Sequence, residues 1–229
     1  MFFPIGDTQV QGGYKPYVAY TFLGLNILIF LYEFTLGSGI NQFITTYGTI
    51  PAEIITGRDY YTLLTSMFLH GGWMHLIGNM LFLWVFGDNI EATIGSVKFF
   101  FFYLFGGLAA SAAHILLDME SNIPSVGASG AIAAVLGAYL IMFPKSKVKI
   151  LVLIIFRNFQ VPALAFLGLW FVQQLISGVG EIGKNSDTGG VAWWAHIGGF
   201  VFGIAFGFLF KGMIRKDKLN HIPGPKDYV

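Results

Sequence analysis

The sequence predicts an all-α membrane protein, a bundle of six transmembrane helices with cytoplasmic N- and C-termini and a long outer loop between the first two helices. Three observations support this fold class. Charged residues make up only 11% of the chain, whereas a soluble domain carries about 25%. Apolar segments recur at about the 20-residue length that a helix needs to cross a bilayer. Lys and Arg are distributed unequally between alternate connections, as in multi-pass membrane proteins.

The apolar segments define the predicted spans, and the basic residues orient them. The spans cover residues 17–36, 73–90, 97–117, 128–143, 161–178 and 191–210. With a cytoplasmic N-terminus, the outer side holds Arg58 and Lys184, and the inner side holds the other eleven of the thirteen basic residues. Because cytoplasmic loops carry the excess of Lys and Arg, we expect a multi-pass protein of the plasma membrane with both ends inside.

The chain is predicted to be one membrane domain between two short polar segments. Residues 17–210 form the six-helix domain. Residues 1–16 are expected to be a cytoplasmic N-terminal segment, because they lack the features of a signal peptide. Residues 211–229 are expected to be a polar cytoplasmic tail.

Two connections carry structure of their own. In the outer loop, residues 37–72, the stretch TIPAEIITG predicts a short helix with Pro51 near its start. Tyr60 and Tyr61 are typical interface anchors, so this loop is expected to lie in the outer leaflet. Residues 148–162 are apolar but interrupted by polar side chains and a proline, which favours a membrane-surface segment before the fifth span.

Composition excludes several classes of function. A net charge of +1 gives no basis for nucleic-acid binding. The absence of cysteine excludes disulfides, thiolate catalysis and cysteine–metal sites.

The fourth span is short and begins with a serine flanked by glycines, in PSVGASGAIAAVLG. From Ser129 to Phe143 the helix would be about 22 Å long at about 1.5 Å per residue, so Ser129 should lie below the outer surface. Irregular backbone at that depth is tolerated only where protein buries it or water reaches it. We therefore expect a water-filled depression with Ser129 at its floor, where the helix N-terminus would stabilise an oxyanion.

Small residues also allow a simpler interpretation, in which this stretch only packs against another helix. The sixth span contains His196 near its outer end, followed by glycines at four-residue spacing. If the small faces of the two spans pack together, His196 lies beside Ser129, and a neutral imidazole is the usual base for a serine nucleophile. The facing residues would be Gly199, Gly203 and Gly207 against Gly130, Ala134, Gly137 and Ala138.

The second span contributes further polar residues near its outer end. His75 and Asn79 are four residues apart and therefore share one helix face. Both can donate hydrogen bonds to a developing oxyanion. His70 is expected to tie the outer loop to the helix, and His114 of the third span is expected to be structural.

Three other classes of membrane protein fit the pattern less well. A metalloprotease needs a glutamate between its histidines, and an aspartyl protease needs two buried aspartates; we expect no acidic side chain in the outer halves of the spans. A transporter would favour inverted repeats and helices broken near the midplane, and neither is seen in the sequence.

At these residues the chain resembles the rhomboid intramembrane serine proteases. The resemblance covers about residues 15–212 and rests on four ordered motifs. They are HGGWMHLIGN before and within the second span, GDNIEATIG with Gly87, Glu91 and Gly95, GASG with Gly127, Ser129 and Gly130, and AHIGGFVFG with His196, Gly199 and Gly203.

The resemblance implies a Ser–His dyad that needs no metal, nucleotide or other cofactor. Ser129 would be the nucleophile and His196 the general base, with His75, Asn79 and the Ser129 backbone N–H as the oxyanion hole. Glu91 would be structural. The implied partners are single-span membrane proteins, cleaved near the outer part of their helix, and membrane lipids. The family pattern also implies that the fifth span, residues 161–178, is a mobile gate. The alternative is a catalytically silent relative that binds membrane helices.

The sequence departs from the family pattern at two places. Many members have Trp-Arg in the outer loop, where this chain has Tyr61 and Thr62. Many also have an aromatic residue four positions after the serine, stacked on the catalytic histidine, where this chain has Ala133. A different group is therefore expected to orient His196.

Overall fold

The computed structural model describes residues 2–8, 15–152, 157–181 and 191–213. Within them the chain is mostly helical, with one small sheet. The helices are α1 (Tyr17–Thr35), α2 (Ile40–Tyr47), α3 (Pro51–Ile55), α4 (Thr62–Thr65), α5 (Trp73–Ile94), α6 (Ser96–Leu117), α7 (Ser129–Met142), α8 (Ala163–Glu181) and α9 (Trp193–Met213). The strands are β1 (Phe2–Asp7), β2 (Lys147–Val152) and β3 (Arg157–Pro162). Most of the predicted tail, and Lys184, lie outside the described residues.

Four of these helices are long and apolar enough to cross a membrane: α1, α6, α8 and α9. The other two predicted spans correspond to α5 and α7. Helix α5 has 22 residues and extends past the predicted end at residue 90 to Ile94. Helix α7 is apolar but has only 14 residues, which is about 21 Å at about 1.5 Å per residue.

The outer loop is largely helical. The short helix predicted around Pro51 is confirmed as α3, and the proline occupies its first turn, where a missing N–H costs nothing. Helices α2 and α4 lie on either side of it in the chain. Tyr60 and Tyr61 are exposed, and the Tyr61 hydroxyl donates to the carbonyl oxygen of Thr46 at 2.9 Å.

The prediction of an all-α chain was wrong after the C-terminal end of α7. Strands β2 and β3 pair in antiparallel fashion, and β1 pairs with β2 from the other side. Strand β2 begins with the period-two pattern of strands: Lys147 and Lys149 are exposed, whereas Val148 and Ile150 are buried. The segment thus satisfies its backbone hydrogen bonds through β pairing, partly with residues near the start of the chain.

Helix α7 forms the centre of the bundle. Eleven of its fourteen residues are buried, and it packs against α5, α6 and α9. Helix α8 is peripheral by comparison, because only four of its nineteen residues are buried. A residue at the first position of α7 is therefore surrounded by side chains from several helices, and this position is Ser129.

Candidate active site

The segment before Ser129 is irregular and is tied to the outer loop by backbone hydrogen bonds. Ser125 and Thr49 exchange two of them, at 2.8 and 3.0 Å, and the N–H of Gly127 donates to the carbonyl oxygen of Ser66 at 2.8 Å. Gly127 has a φ of +129°, which side-chain-bearing residues rarely adopt. The loop is thus held in one path that delivers Ser129 to the start of α7.

Ser129 and His196 are in hydrogen-bonding contact. The Oγ of Ser129 lies 2.9 Å from the Nε2 of His196, across 67 residues of sequence. His196 lies in the first turn of α9, so both side chains project from helix N-terminal ends. The first N–H groups of such ends have no intrahelical acceptor and face the site with a partial positive charge.

The two small-residue faces meet and bring this pair together. A Cβ added to Gly199 would overlap the carbonyl oxygen of Gly130, and one added to Gly203 would overlap that of Ala134. A Cβ on Gly207 would lie 3.0 Å from the α-carbon of Ala138. The backbones of α7 and α9 therefore touch directly, which larger residues would prevent.

His75 lies on the other side of the nucleophile. The N–H of Gly71 donates to its Nδ1 at 3.4 Å, so a neutral His75 carries its proton on Nε2. That nitrogen is near the loop before Ser129, since a Cβ on Gly127 would be 2.7 Å from it. His75 therefore presents an N–H donor beside the loop that leads to Ser129.

Asn79 is buried one turn further along α5 and is held by His70. Its Nδ2 lies 3.0 Å from the Nε2 of His70. Burial of the His70 imidazole lowers its pKa to about 3, so the ring is neutral and can accept this bond. The amide nitrogen of Asn79 has a second hydrogen to donate, and this nitrogen lies 3.7 Å from the position that a Cβ on Gly127 would take.

Glu33 is a buried acidic residue at a place where the sequence predicted none. We expected no acidic side chain in the outer halves of the spans, but Glu33, in the predicted outer half of the first span, is buried near the C-terminal end of α1. Both of its carboxylate oxygens lie 3.3 Å from the backbone N–H of His70, which donates to them. Glu33 thus anchors the segment that carries His70, and it contacts neither Ser129 nor His196 through the hydrogen bonds that the structure gives it. The hydrogen bonds of His70 connect the loop to both α1 and α5.

A cavity of about 1160 Å³ connects these residues. Its wall includes Ser129, His196, His75 and Asn79. His114, which was expected to be structural, also lines it. In the described part of the chain, no three His, Asp or Glu side chains are grouped so that they could hold a metal ion.

Comparison with known proteins gives the family. The sequence model of the Rhomboid domain matches residues 57–212, which is more than half of the chain. This chain belongs to the rhomboid family. With its apolar helices, it is an integral membrane protein.

Named relatives from bacteria, fungi and plants support the assignment. The chain is 34% identical to rhomboid protease GluP of Bacillus subtilis, over 91% of this chain and 38% of that protein. It is 27% identical to the mitochondrial rhomboid protein 1 of Saccharomyces cerevisiae, over 90% of this chain and 56% of that protein. RHOMBOID-like protein 5 of Arabidopsis thaliana is 32% identical over 71% of this chain and 48% of its own length. The chain thus spans about half or less of these rhomboid relatives.

The two departures from the rhomboid pattern have structural counterparts. Ala133 is fully buried, and its Cβ would lie 3.3 Å from a Cβ on Gly199, so its small size lets α9 approach. His196 instead has aromatic neighbours on α8 and α9: the Trp170 ring lies 5.8 Å from the imidazole, tilted by 33°, and the Trp193 ring lies 6.2 Å away, edge-on. Thr62 is buried, and its carbonyl accepts a bond from the Thr49 hydroxyl at 2.9 Å.

Glu91, expected to be structural, lies near the C-terminal end of α5 and is completely buried. Its carboxylate accepts the backbone N–H groups of Val18 at 3.0 Å and Ala19 at 2.7 Å, and the hydroxyl of Ser96 at 2.6 Å. A carboxylate at the N-terminus of α1 satisfies N–H groups that the helix leaves unpaired. Glu91 therefore joins the starts of α1 and α6 to α5.

One residue of the site was missed by the sequence analysis. Gln174 of α8 places its Oε1 2.7 Å from the Nδ1 of His196, on the side of the ring opposite Ser129. A glutamine inside an apolar segment is the only sequence signal for it. The neighbouring Gln173 gives the same signal but is exposed. The two can be distinguished only when it is known which face of α8 packs against the bundle.

Proposed function

We propose that this rhomboid protein is an intramembrane serine endopeptidase that cleaves transmembrane segments of membrane proteins near the outer part of the bilayer. The observation that carries the proposal is the 2.9 Å contact between Ser129 Oγ and His196 Nε2 at the wall of the cavity. A packing serine would not need an imidazole as its partner.

In the first step, Ser129 Oγ attacks the scissile carbonyl carbon while its proton moves to His196 Nε2. The new C–O bond makes a tetrahedral intermediate with a negative oxygen. His196 then gives the proton to the leaving amine as the C–N bond breaks, which leaves an acyl group on Ser129. Each proton transfer needs the imidazole at hydrogen-bonding distance from the reacting group, and the observed separation meets this condition.

The proposed oxyanion hole consists of the side chains of His75 and Asn79 and the backbone N–H of Ser129. The hydrogen bond from Gly71 leaves the Nε2 of His75 as a donor. The His70 acceptor orients Asn79 while leaving it a second N–H. Fixed donors of this kind stabilise charge as it develops in the transition state.

Deacylation requires water, and the cavity gives it a route. The cavity wall continues from Ser129 past His114 to Glu181, which is exposed. Water entering there would be deprotonated by His196 and would attack the acyl carbon, releasing Ser129. The mechanism uses no metal, nucleotide or other cofactor.

We further propose the membrane arrangement that this activity requires. The chain would cross the plasma membrane six times with both ends in the cytoplasm, with α5 and the short α7 as the second and fourth spans. The distribution of Lys and Arg supports this orientation. The substrates would be single-span membrane proteins, recognised within the lipid bilayer. The protease name of the Bacillus relative agrees with this proposal.

The experiment is cleavage of a single-span peptide, with small residues in the outer part of its helix, by the purified protein in liposomes. We expect cleavage in the outer part of the helix by the wild type and none by Ser129→Ala. An uncut peptide that co-purifies equally with wild type and Ser129→Ala would overturn the protease proposal in favour of a helix-binding protein.

A further inference from the structure

Gln174 is the polar member of the narrow stripe through which α8 joins the bundle. The four buried residues of α8 are Ala163, Leu167, Gln174 and Gly178. Gln174 is only 3% exposed, and burying an amide is unfavourable unless its hydrogen bonds are made. The hydrogen-bond partners of the Gln174 amide therefore indicate its role.

The two ends of the Gln174 amide have distinct partners. Its Nε2 donates to the backbone carbonyl of Trp170, one turn earlier in α8, at 3.2 Å. Its Oε1 lies 2.7 Å from His196 Nδ1. Rotating the amide by half a turn would set two oxygens against each other at Trp170, so the orientation with oxygen towards His196 is the favoured one.

This orientation decides which nitrogen of His196 carries the proton. An amide oxygen can only accept, so His196 Nδ1 must donate, and in the neutral ring Nε2 is then unprotonated. The lone pair of Nε2 faces the Ser129 hydroxyl at 2.9 Å. The other tautomer would place an N–H against the hydroxyl and could not take its proton.

We propose that Gln174 is a positioning residue of the protease: it selects the reactive tautomer of His196 and makes activation of Ser129 depend on the position of α8. The inference rests on the proposed function. Ser129 and His196 belong to α7 and α9, whose backbones touch. Gln174 reaches them from a third helix that is attached by its narrow stripe and by ring contacts such as Phe171 with Phe200, at 4.3 Å. Moving α8 outwards breaks the Gln174–His196 bond and leaves the tautomer unselected.

The ionisable side chains around His196 allow the role of Gln174 to be tested by the pH dependence of activity. Among the described residues, the other ionisable side chains that face this cavity or the imidazole are His75, His114, Asp118 and Glu181, whereas the contact at Nδ1 comes from the neutral amide of Gln174. In Gln174→Glu a carboxylate replaces the amide oxygen and stabilises the imidazolium form. The acid limb of the activity–pH profile should therefore move to higher pH, while activity at alkaline pH is retained.

Activity and labelling form the first measurement. In Gln174→Leu we expect kcat and the rate constant for fluorophosphonate labelling of Ser129 to fall together by about 10- to 100-fold, with KM changed less. This is smaller than the roughly 10⁴-fold loss seen where a charged orienting partner is neutralised. Gln173→Leu, on the exposed side of the same turn, is the matched control and should behave like the wild type. If Gln174→Leu and Gln174→Glu both match Gln173→Leu in rate and pH profile, the positioning role is wrong.

The second measurement does not depend on activity. The chain has only five histidines, so ¹⁵N NMR of histidine-labelled protein can resolve His196, assigned by its loss in His196→Asn. We expect a protonated Nδ1 in the wild type and a mixture of tautomers in folded Gln174→Leu. A wild-type His196 protonated at Nε2 would overturn the inference even if the protease is active. Conversely, the expected tautomer with no labelling at Ser129 would refute the proposed function while leaving the role of Gln174 in orienting His196 intact.

Discussion

The imidazole of His75 occupies the space that a side chain on Gly127 would need. A Cβ at Gly127 would lie 2.7 Å from both Cε1 and Nε2 of that ring. The residue two positions before the candidate nucleophile must therefore be glycine for His75 to lie beside it. This relationship joins the GASG motif to the HGGWMHLIGN motif through physical contact.

Substitution of Gly127 should damage the site in two ways. Gly127→Ala places a side chain at a φ of +129°, which costs about 1–3 kcal/mol, and it displaces His75. A misplacement of about 1 Å can reduce the rate about 10²-fold, and we expect a loss of that order in kcat. Gly24→Ala, where an added Cβ has no neighbour within 4 Å, is the control, and its kcat should equal that of the wild type. Equal kcat in both variants would show that the position of His75 does not matter.

The oxyanion donors should affect kcat more than KM, because they act on charge that develops in the transition state. We expect His75→Ala and Asn79→Ala each to lower kcat, by up to about 10²–10³-fold where one donor dominates. Asn41→Ala, at an exposed asparagine of α2, serves as the control. Steady-state cleavage of a single-span peptide in liposomes measures both constants. An unchanged kcat in both variants would remove these residues from the mechanism.

Close contact between α7 and α9 should make the glycine stripe sensitive to a single methyl group. In Gly199→Ala the new Cβ meets the Gly130 carbonyl oxygen, which is backbone and cannot rotate away. Overpacking of this kind costs about 1–3 kcal/mol, so the thermal unfolding temperature in detergent should fall and Ser129 labelling should slow. Gly168→Ala, on α8 with nothing within 4 Å of the added Cβ, should not lose stability. If the two variants unfold at the same temperature, the packing account is incorrect.

Glu91 should contribute to stability rather than to catalysis. Its two oxygens accept the Val18 and Ala19 N–H groups and the Ser96 hydroxyl. Glu91→Gln replaces one acceptor by an N–H donor, which leaves a buried donor unpaired at a cost of about 1–3 kcal/mol. We expect a lower unfolding temperature than in Glu120→Gln, at an exposed glutamate, and an unchanged kcat per folded molecule. A selective loss of kcat would point to a chemical role instead.

The sequence predicted most of the helices better than it predicted the strands. The glycine spacing of the sixth span and the short fourth helix led us to expect Ser129 beside His196, because small residues at four-residue intervals let two helix backbones approach closely, and the two side chains are 2.9 Å apart. The sheet was missed because β2 requires β1, about 140 residues earlier in the chain. The alternation of Lys147, Val148, Lys149 and Ile150 is typical of a strand, but the polar residues further along the segment favoured an interrupted apolar segment.

The second shortfall concerns polar residues in apolar helices. Glu33 and Gln174 are both buried, yet their roles depend on helix rotation, which the near-uniform apolarity of α1 and α8 does not reveal. The sequence alone does not show which of Gln173 and Gln174 is buried. Only the packing of α8 against α9 determines which amide reaches His196. For the same reason, the sequence did not predict that Trp170 would lie against His196, although Ala133 cannot stack on it.

Ser129 is proposed to be a nucleophile that His196 activates. The most direct measurement is labelling with a fluorophosphonate probe in liposomes, followed by peptide mass spectrometry to locate the adduct. We predict an adduct on Ser129 in the wild type, none in Ser129→Ala, and sharply slower labelling in His196→Ala. Labelling of Ser129→Ala at the wild-type rate would contradict the claim.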